Sequence, residues 1–144
     1  FFPELNLKKE ELALEYDRIF RSGEVWLYGA EYIAENEFQR AKGLADINGF
    51  YRAFGVEPER ERPDSLTCEL EFMHYLIFKE MHASTQEKVF VCQDAQKKFF
   101  LEHLLTPAKK LSEKIIAISQ NKFYLDISKE LVKFLDAEAG FLRP

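Results

Sequence analysis

One stretch, residues 57–82, constrains the fold more than any other part of the sequence. Its first half is charged and contains Pro58 and Pro63, which exclude regular structure there. After Asp64 the residues become apolar around most of a helix circumference, which is typical of a helix inside a domain. We therefore predict a central buried helix at about residues 65–82, with the rest of the chain packed around it. Its most consistent apolar stripe consists of Leu66, Leu70, Met73 and Ile77.

The start of this helix is predicted at Asp64. A carboxylate at the N-cap accepts hydrogen bonds from free amide groups and faces the positive end of the helix dipole. In that role Asp64→Asn should leave the melting temperature nearly unchanged, because Asn caps equally well.

Helical patterns continue before this element. Asn6 is predicted to cap a helix from Leu7 to Phe20, and another helical segment runs from about Asn36 to Phe54 with Gly55 as its C-cap. The short stretch 25–28 is strand-like, but no second β pattern exists to pair with it. We therefore interpret it as a short helix or an extended link.

Helical patterns also follow the predicted central helix. Ser84-x-x-Glu87 indicates a capping box for a helix that ends at about Leu105. Thr106-Pro107 is typical of a cap followed by proline in the first turn of another helix. A last helix should stop near Gly140. The predicted fold class is all-α, a single-domain helical bundle.

Length and composition support one domain spanning residues 1–144. The chain is 47% hydrophobic with 14 Phe, which favours a large interior or an apolar groove. A formal net charge of -5 argues against nucleic-acid binding and would suit a basic peptide. We expect no membrane span and no secretory signal. Because the chain starts at Phe1 rather than Met, we expect some N-terminal residues to be missing.

Residues able to do chemistry are present but isolated. Glu71-x-x-His74 is half of a di-iron motif without a second copy, and six residues separate Cys68 from His74 on roughly opposite sides of a helix. His103 is interpreted as a core or boundary histidine. Cys68 and Cys92 are expected to be inert thiols in a reducing cytoplasm, although a disulfide between them stays open. We predict no catalytic residue, no metal and no cofactor.

The acidic loop has two interpretations. In the first, it is a solvated segment whose acids pair with Arg60 and Arg62 and in which Asp64 only caps the helix. Alternatively, it is a receptor for a peptide that is basic at one end and apolar along its length, since guanidinium groups match carboxylates and an apolar helix fits a hydrophobic groove. The acids concerned are Glu57, Glu59, Glu61, Asp64, Glu69 and Glu71.

The same stretch resembles the TorD/DmsD/NarJ family, the maturation chaperones of molybdenum-cofactor oxidoreductases. The resemblance rests on Tyr51-x-x-x-Gly55, Glu59, Glu61, Pro63-Asp64 and Leu70-Glu71-Phe72-Met73. The chain departs from the family pattern at Ser65, where His is usual, and at Pro107, where Trp is usual nearby. Further landmarks in family order are Tyr16, Phe20, Phe99, His103-Leu104, Phe123-Tyr124 and Phe134-Leu135.

The resemblance implies a cytoplasmic, non-enzymatic chaperone. Its partner would be a molybdoenzyme catalytic subunit, held by its twin-arginine signal peptide or N-terminal region until the cofactor is inserted. A monomer or a helix-exchanged dimer, and guanine nucleotide binding, stay open. The rival functions are a generic helical interaction or regulatory domain and a small hydrolase or nucleotide-binding enzyme. The peptide-binding residues predicted on this basis are Tyr51, Glu59, Glu61, Asp64, Ser65, Glu69 and Phe72.

Overall fold

The computed structural model describes residues 8–143, and in that range it is helical without any strand. Tyr28 and Ser65 form one isolated antiparallel bridge. The predicted all-α fold is confirmed. The helices are α1 (Lys9–Tyr16, extended by a π-helical turn at Asp17–Arg21), α2 (Ala30–Ile33), α3 (Glu37–Ala53), α4 (Leu66–Met81), α5 (Gln86–Phe99, extended by a π-helical turn at Phe100–Leu104), α6 (Leu105–Ile118) and α7 (Lys122–Leu142).

The ends of α3 follow the sequence prediction. Asn36 Oδ1 accepts a hydrogen bond from the Gln39 amide at 2.9 Å and so caps the first turn. Gly55 follows the last turn with φ of 72°, a conformation that glycine adopts without the Cβ clash of other residues. The predicted cap of α1, Asn6, lies outside the described residues.

Two predicted N-caps were wrong by one residue. α4 is capped by Ser65, whose Oγ accepts from the Cys68 amide at 3.2 Å, and Asp64 bonds elsewhere. α5 is capped by Thr85 rather than Ser84, through a 3.3 Å hydrogen bond from the Lys88 amide to its hydroxyl. In both cases two good capping residues are adjacent, and the second of them takes the role.

The predicted new start at Thr106 was also wrong. α5 runs through the π-helical turn into α6 without a side-chain cap, and α6 already begins at Leu105. Pro107 has no amide proton, so it cannot donate to the carbonyl four residues earlier. A wider π-helical turn, in which the Leu105 amide reaches the Phe100 carbonyl, precedes this proline and keeps the chain helical.

The central position of α4 is confirmed, but its buried stripe differs from the predicted one. Phe72, Met73 and Leu76 are at most 8% exposed, whereas Leu70 is half-buried and Ile77 is 42% exposed. The buried face is therefore rotated by about one residue. It packs on α5 and on the π-helical turn that follows α5.

Aromatic rings form the centre of the larger core. The Phe72 ring lies 4.8 Å from both the Tyr51 and the Phe99 centroid, in edge-to-face arrangements. A smaller core joins the end of α1 to α6 through Ile19 and Leu111. The remaining buried members of the two cores are Ile47, Met73, Leu76, Ala95, Phe100, Leu104, Leu105, Ala108, Leu135 and Ala139 in the larger one, and Val25 and Ile115 in the smaller one.

Cys92 is buried and Cys68 is half-buried, and both are free thiols. Across residues 8–143, none of the helices combines the length and hydropathy needed to cross a membrane.

Candidate functional site

The acidic loop between α3 and α4 is held at its C-terminal end by the segment before α2. The Gly29 amide donates to the Asp64 carbonyl at 2.8 Å, and the Leu66 amide donates to the Leu27 carbonyl at 2.9 Å. From the other side, the Tyr51 hydroxyl of α3 donates to the Pro63 carbonyl at 2.6 Å. Three hydrogen bonds from two elements therefore fix the position of the loop's end.

Asp64 lies at the centre of this anchorage and is fully buried. Its Oδ2 accepts from the Ala30 amide at 2.9 Å and from Arg62 Nη2 at 2.8 Å, while Oδ1 accepts from Arg62 Nε at 3.0 Å. The two-pronged contact with Arg62 matches the planar fork of a guanidinium group. Asp64 thus joins the loop to α2 instead of facing solvent.

Arg62 extends the network to the neighbouring helices. Its Nη1 donates to Glu31 Oε1 at 3.0 Å, and its guanidinium carbon lies 4.3 Å from the centre of the Tyr28 ring. Arg40 pairs with the same Glu31 oxygen. Burial alone would raise the pKa of Glu31, but the hydrogen bonds from Arg40 and Arg62 lower it below its ordinary value. Arg62 thus forms an ion pair with a loop acid, as the solvated interpretation of the loop predicts, but its partner Asp64 is fully buried and does not cap α4.

Glu69 is a buried carboxyl group of a different kind. It is 1% exposed, and its Oε1 has no hydrogen-bond partner among the described residues. Burial, together with the negative charge of Asp64, raises the pKa of Glu69 to about 9. At neutral pH this side chain is therefore uncharged, which makes its burial possible.

Glu69 borders a cavity of about 90 Å³ between α2 and α3. Arg40, Asp64 and His103 are the other charged or titratable residues that line it. Burial and, after it, the nearby charge of Glu69 raise the pKa of Tyr51. The space is sufficient for water to reach the carboxyl group.

We predict a pH-dependent stability difference at Glu69. Between its ordinary value of 4.5 and about 9, the folded protein keeps a proton that the unfolded chain releases. The free energy of unfolding should therefore fall as pH rises through this window, by up to about 1.4 kcal/mol per pH unit. Glu69→Gln should flatten this slope in urea titrations from pH 5 to 9. Glu71→Gln, exposed on the same helix, should keep it, and an unchanged slope in Glu69→Gln would contradict the assignment.

A cleft of about 200 Å³, the loop cleft, lies between the acidic loop and α4. Phe72 and Tyr75 form part of its apolar wall, and the carboxylates of Glu57 and Glu71 are exposed beside them. The Tyr75 hydroxyl donates to the Phe54 carbonyl at 3.2 Å, which fixes that wall. The other lining residues are Tyr51, Val56, Pro58 and Cys68. The cleft combines apolar surface with negative charge.

A second groove lies between the end of α4 and the start of α5 and has a volume of about 650 Å³. It exposes Phe78 and Val91, but Lys79 and Lys88 line it together with Glu87. Its mixed charge is less suited to a basic ligand than that of the loop cleft.

The comparisons with known proteins decide the family. A model of the nitrate reductase delta subunit family matches residues 4–111, most of the chain. The chain belongs to this family. The predicted resemblance to the TorD/DmsD/NarJ chaperones is confirmed.

Two relatives of this chain are named as reductase assembly chaperone proteins. The chain is 31% identical over 98 residues to the perchlorate reductase assembly chaperone protein of Dechloromonas aromatica. This matched region covers 65% of this chain and 44% of the relative. It is 32% identical over 105 residues to the chlorate reductase assembly chaperone protein of Ideonella dechloratans. This matched region covers 68% of this chain and 54% of the relative. The chain spans about half the length of these relatives.

The seven predicted peptide-binding residues occupy three different environments. Tyr51 and Phe72 line the loop cleft but are only 3% exposed, because both also belong to the larger core. Glu59 and Glu61 are exposed on the loop, and the charge of Glu61 beside Tyr28 raises the pKa of that tyrosine. The remaining three predicted peptide-binding residues, Asp64, Ser65 and Glu69, are buried.

The predicted peptide-binding residues do not include Glu57, Glu71 and Tyr75, which line the cleft, although the receptor interpretation counts Glu57 and Glu71 among its acids. A signal for two of them was available. Residues 68, 71, 72 and 75 follow the spacing of one helix face, so Glu71 and Tyr75 had to lie beside Phe72. Glu57 could not be placed in this way, because its position depends on the irregular loop.

Proposed function

We propose that this chain is a cytoplasmic, non-enzymatic assembly chaperone for a molybdenum-cofactor oxidoreductase. It binds the twin-arginine signal peptide or the N-terminal region of its client subunit until the cofactor has been inserted. Membership of the nitrate reductase delta subunit family supports this role, as do the two relatives named as assembly chaperones of perchlorate and chlorate reductase.

The observation that carries the proposal is the composition of the loop cleft. A twin-arginine signal peptide has two guanidinium groups followed by an apolar segment. The carboxylates of Glu57 and Glu71 can accept charge-assisted hydrogen bonds from guanidinium groups, and the aromatic wall of Phe72 and Tyr75 can bury apolar side chains. Glu59 and Glu61 add negative charge on the same loop, which would attract a basic peptide.

The buried acids have a supporting role in this proposal. Both oxygens of Asp64 already accept hydrogen bonds, so an incoming arginine would have to displace Arg62 or the Ala30 amide. We infer that Asp64 acts on peptide binding through the position of the loop. Ser65 contributes by starting α4, the helix that carries Glu71, Phe72 and Tyr75.

We expect the double substitution Glu57→Gln, Glu71→Gln to weaken binding of a twin-arginine signal peptide. Each lost charge-assisted hydrogen bond is worth about 1.5–3 kcal/mol, which corresponds to roughly ten- to a hundredfold in Kd. The salt dependence of binding should also decrease. Isothermal titration calorimetry at two salt concentrations measures both effects.

Glu87→Gln is the matched control, because it removes an exposed carboxylate from α5 outside the loop cleft. It should bind the peptide as the parent does. Equal affinity of the parent, the double variant and the control would exclude the loop cleft as the binding site. A peptide in which both arginines are replaced by glutamine should bind the parent no better than the double variant binds the original peptide.

A further inference from the structure

Three potential metal ligands meet where α3 approaches the π-helical turn after α5. They are the Asp46 carboxylate, the Glu102 carboxylate and an imidazole nitrogen of His103, and the ligand atoms lie within 4.8 Å of one another. Asp46 and Glu102 are exposed, whereas His103 is 7% exposed. A cation at this point would be reached from solvent and held by a buried imidazole from below.

The imidazole is fixed in its orientation. Its ring lies between Phe50, at 5.6 Å between centroids, and Phe99, at 5.5 Å. His103 Nε2 is buried and makes no hydrogen bond of acceptable geometry within residues 8–143, although Asp46 Oδ2 is only 2.8 Å away. This nitrogen is therefore available to bind a metal ion together with the Asp46 carboxylate.

The π-helical turn explains how consecutive residues reach one point. In a regular α-helix, neighbouring side chains point about 100° apart, which separates them around the helix. Glu102 and His103 both lie in the wider π-helical turn Phe100–Leu104, which has more residues per turn, so that neighbouring side chains diverge by a smaller angle. Turns of this kind occur frequently at functional sites.

We propose that Asp46, Glu102 and His103 form a binding site for a divalent first-row transition metal ion. One imidazole and two carboxylates form a mixed nitrogen and oxygen ligand set that suits Zn²⁺, Co²⁺ or Mn²⁺. Mg²⁺ prefers an all-oxygen environment and gains little from the imidazole. The bound ion would join α3 to the π-helical turn. The proposal is independent of peptide binding, and it replaces the sequence-based prediction that the chain has no metal site.

The alternative is a purely electrostatic cluster, in which a protonated His103 pairs with Asp46 and Glu102. The two arrangements respond differently to added metal. A metal ion binds only the neutral imidazole and stabilises the folded chain by an amount that grows with the logarithm of its concentration relative to Kd, so the melting temperature rises as metal is added. The ion pair offers no neutral imidazole to a metal ion, so added metal would leave the melting temperature unchanged.

The experiment titrates Zn²⁺ calorimetrically, and Co²⁺ by visible absorption, into the chain and into Asp46→Asn, Glu102→Gln and His103→Gln. Loss of a ligand should weaken Zn²⁺ binding at least about tenfold in each variant, since loss of even an outer contact costs that much. Asp46 and Glu102 are exposed, so these two variants keep the test valid should His103→Gln fail to fold. Glu87→Gln should bind as the parent does.

The Co²⁺ spectrum shows whether sulfur ligates the metal ion. We expect d–d absorption without a strong sulfur-to-cobalt band, because neither Cys68 nor Cys92 belongs to the cluster. Parent protein that binds Zn²⁺ no more tightly than Mg²⁺ would overturn the proposal. Variants of Asp46 and Glu102 that both bind Zn²⁺ like the parent would overturn it as well.

Discussion

Leu76→Ala should lower the free energy of unfolding by about 2–5 kcal/mol, because it leaves a cavity in the larger core. Leu76 is 0% exposed and lies on the buried face of α4. The loss is a large fraction of the roughly 5–15 kcal/mol that stabilises a typical domain. Urea denaturation followed by circular dichroism measures the difference.

Two residues of the same helix provide matched controls. Leu70 is half-buried and Ile77 is 42% exposed, so alanine at either position removes less buried surface. We expect the order of destabilisation to be Leu76, then Leu70, then Ile77. A larger loss for Ile77→Ala than for Leu76→Ala would contradict the orientation of α4.

Asp64→Ala should also be strongly destabilising. It removes the acceptor of three hydrogen bonds and leaves the Ala30 amide and Arg62 without that partner. Breaking a fully buried ion pair costs about 3–5 kcal/mol, and because Arg62 is partly exposed we expect about 2–3 kcal/mol here. Thermal and urea denaturation of the variant measure the loss.

Ser65→Ala is the comparison variant, because it tests the N-cap of α4 next to Asp64. It removes only the N-cap of α4, which is worth about 1 kcal/mol. Asp64→Asn should be destabilising too, since it loses the charge that pairs with Arg62. The sequence-based expectation of nearly unchanged melting for that variant rested on the wrong cap. If Asp64→Ala proves no more destabilising than Ser65→Ala, the hydrogen-bond network of Asp64 contributes little to stability.

The fold could be predicted from local patterns, because helices α3 to α7 combine periodic apolar residues with capping and terminating residues. The exact buried face of α4 could not. Leu66, Leu70 and Ile77 are apolar, and so are Phe72 and Leu76, so periodicity alone does not distinguish the stripe that faces the core. That choice depends on where α5 and Phe99 pack against the helix.

The roles of the acids were the least predictable part of the candidate site. Sequence spacing places six carboxylates near α4, but only the folded chain separates them into exposed, paired and uncharged groups. Asp64 pairs with Arg62, only two residues away, but it is buried because the segment at Tyr28–Ala30 lies beside the loop, and Glu69 is uncharged because it faces the interior. These are long-range contacts that no local pattern contains.

The cluster at His103 was missed for the same reason. Asp46 lies on α3, far from His103 in sequence, and Glu102 is adjacent to His103, a spacing that does not bring two ligands together in a regular helix. Thr106-Pro107 predicts a helix start, whereas Pro107 lies in the first turn of α6, three residues after the end of the π-helical turn at Leu104.

The most direct test of the central claim is co-purification with a client. Each molybdenum-cofactor oxidoreductase subunit of the source organism would be co-expressed with the tagged chain in three forms: intact, with the signal-peptide arginine pair replaced by glutamine, and without the signal segment. Our account predicts that one intact subunit, lacking its cofactor, co-purifies with the chain. Replacing the arginine pair, or removing the segment, should reduce the recovered subunit. Recovery of no such subunit, or equal recovery of all three forms, would contradict the account.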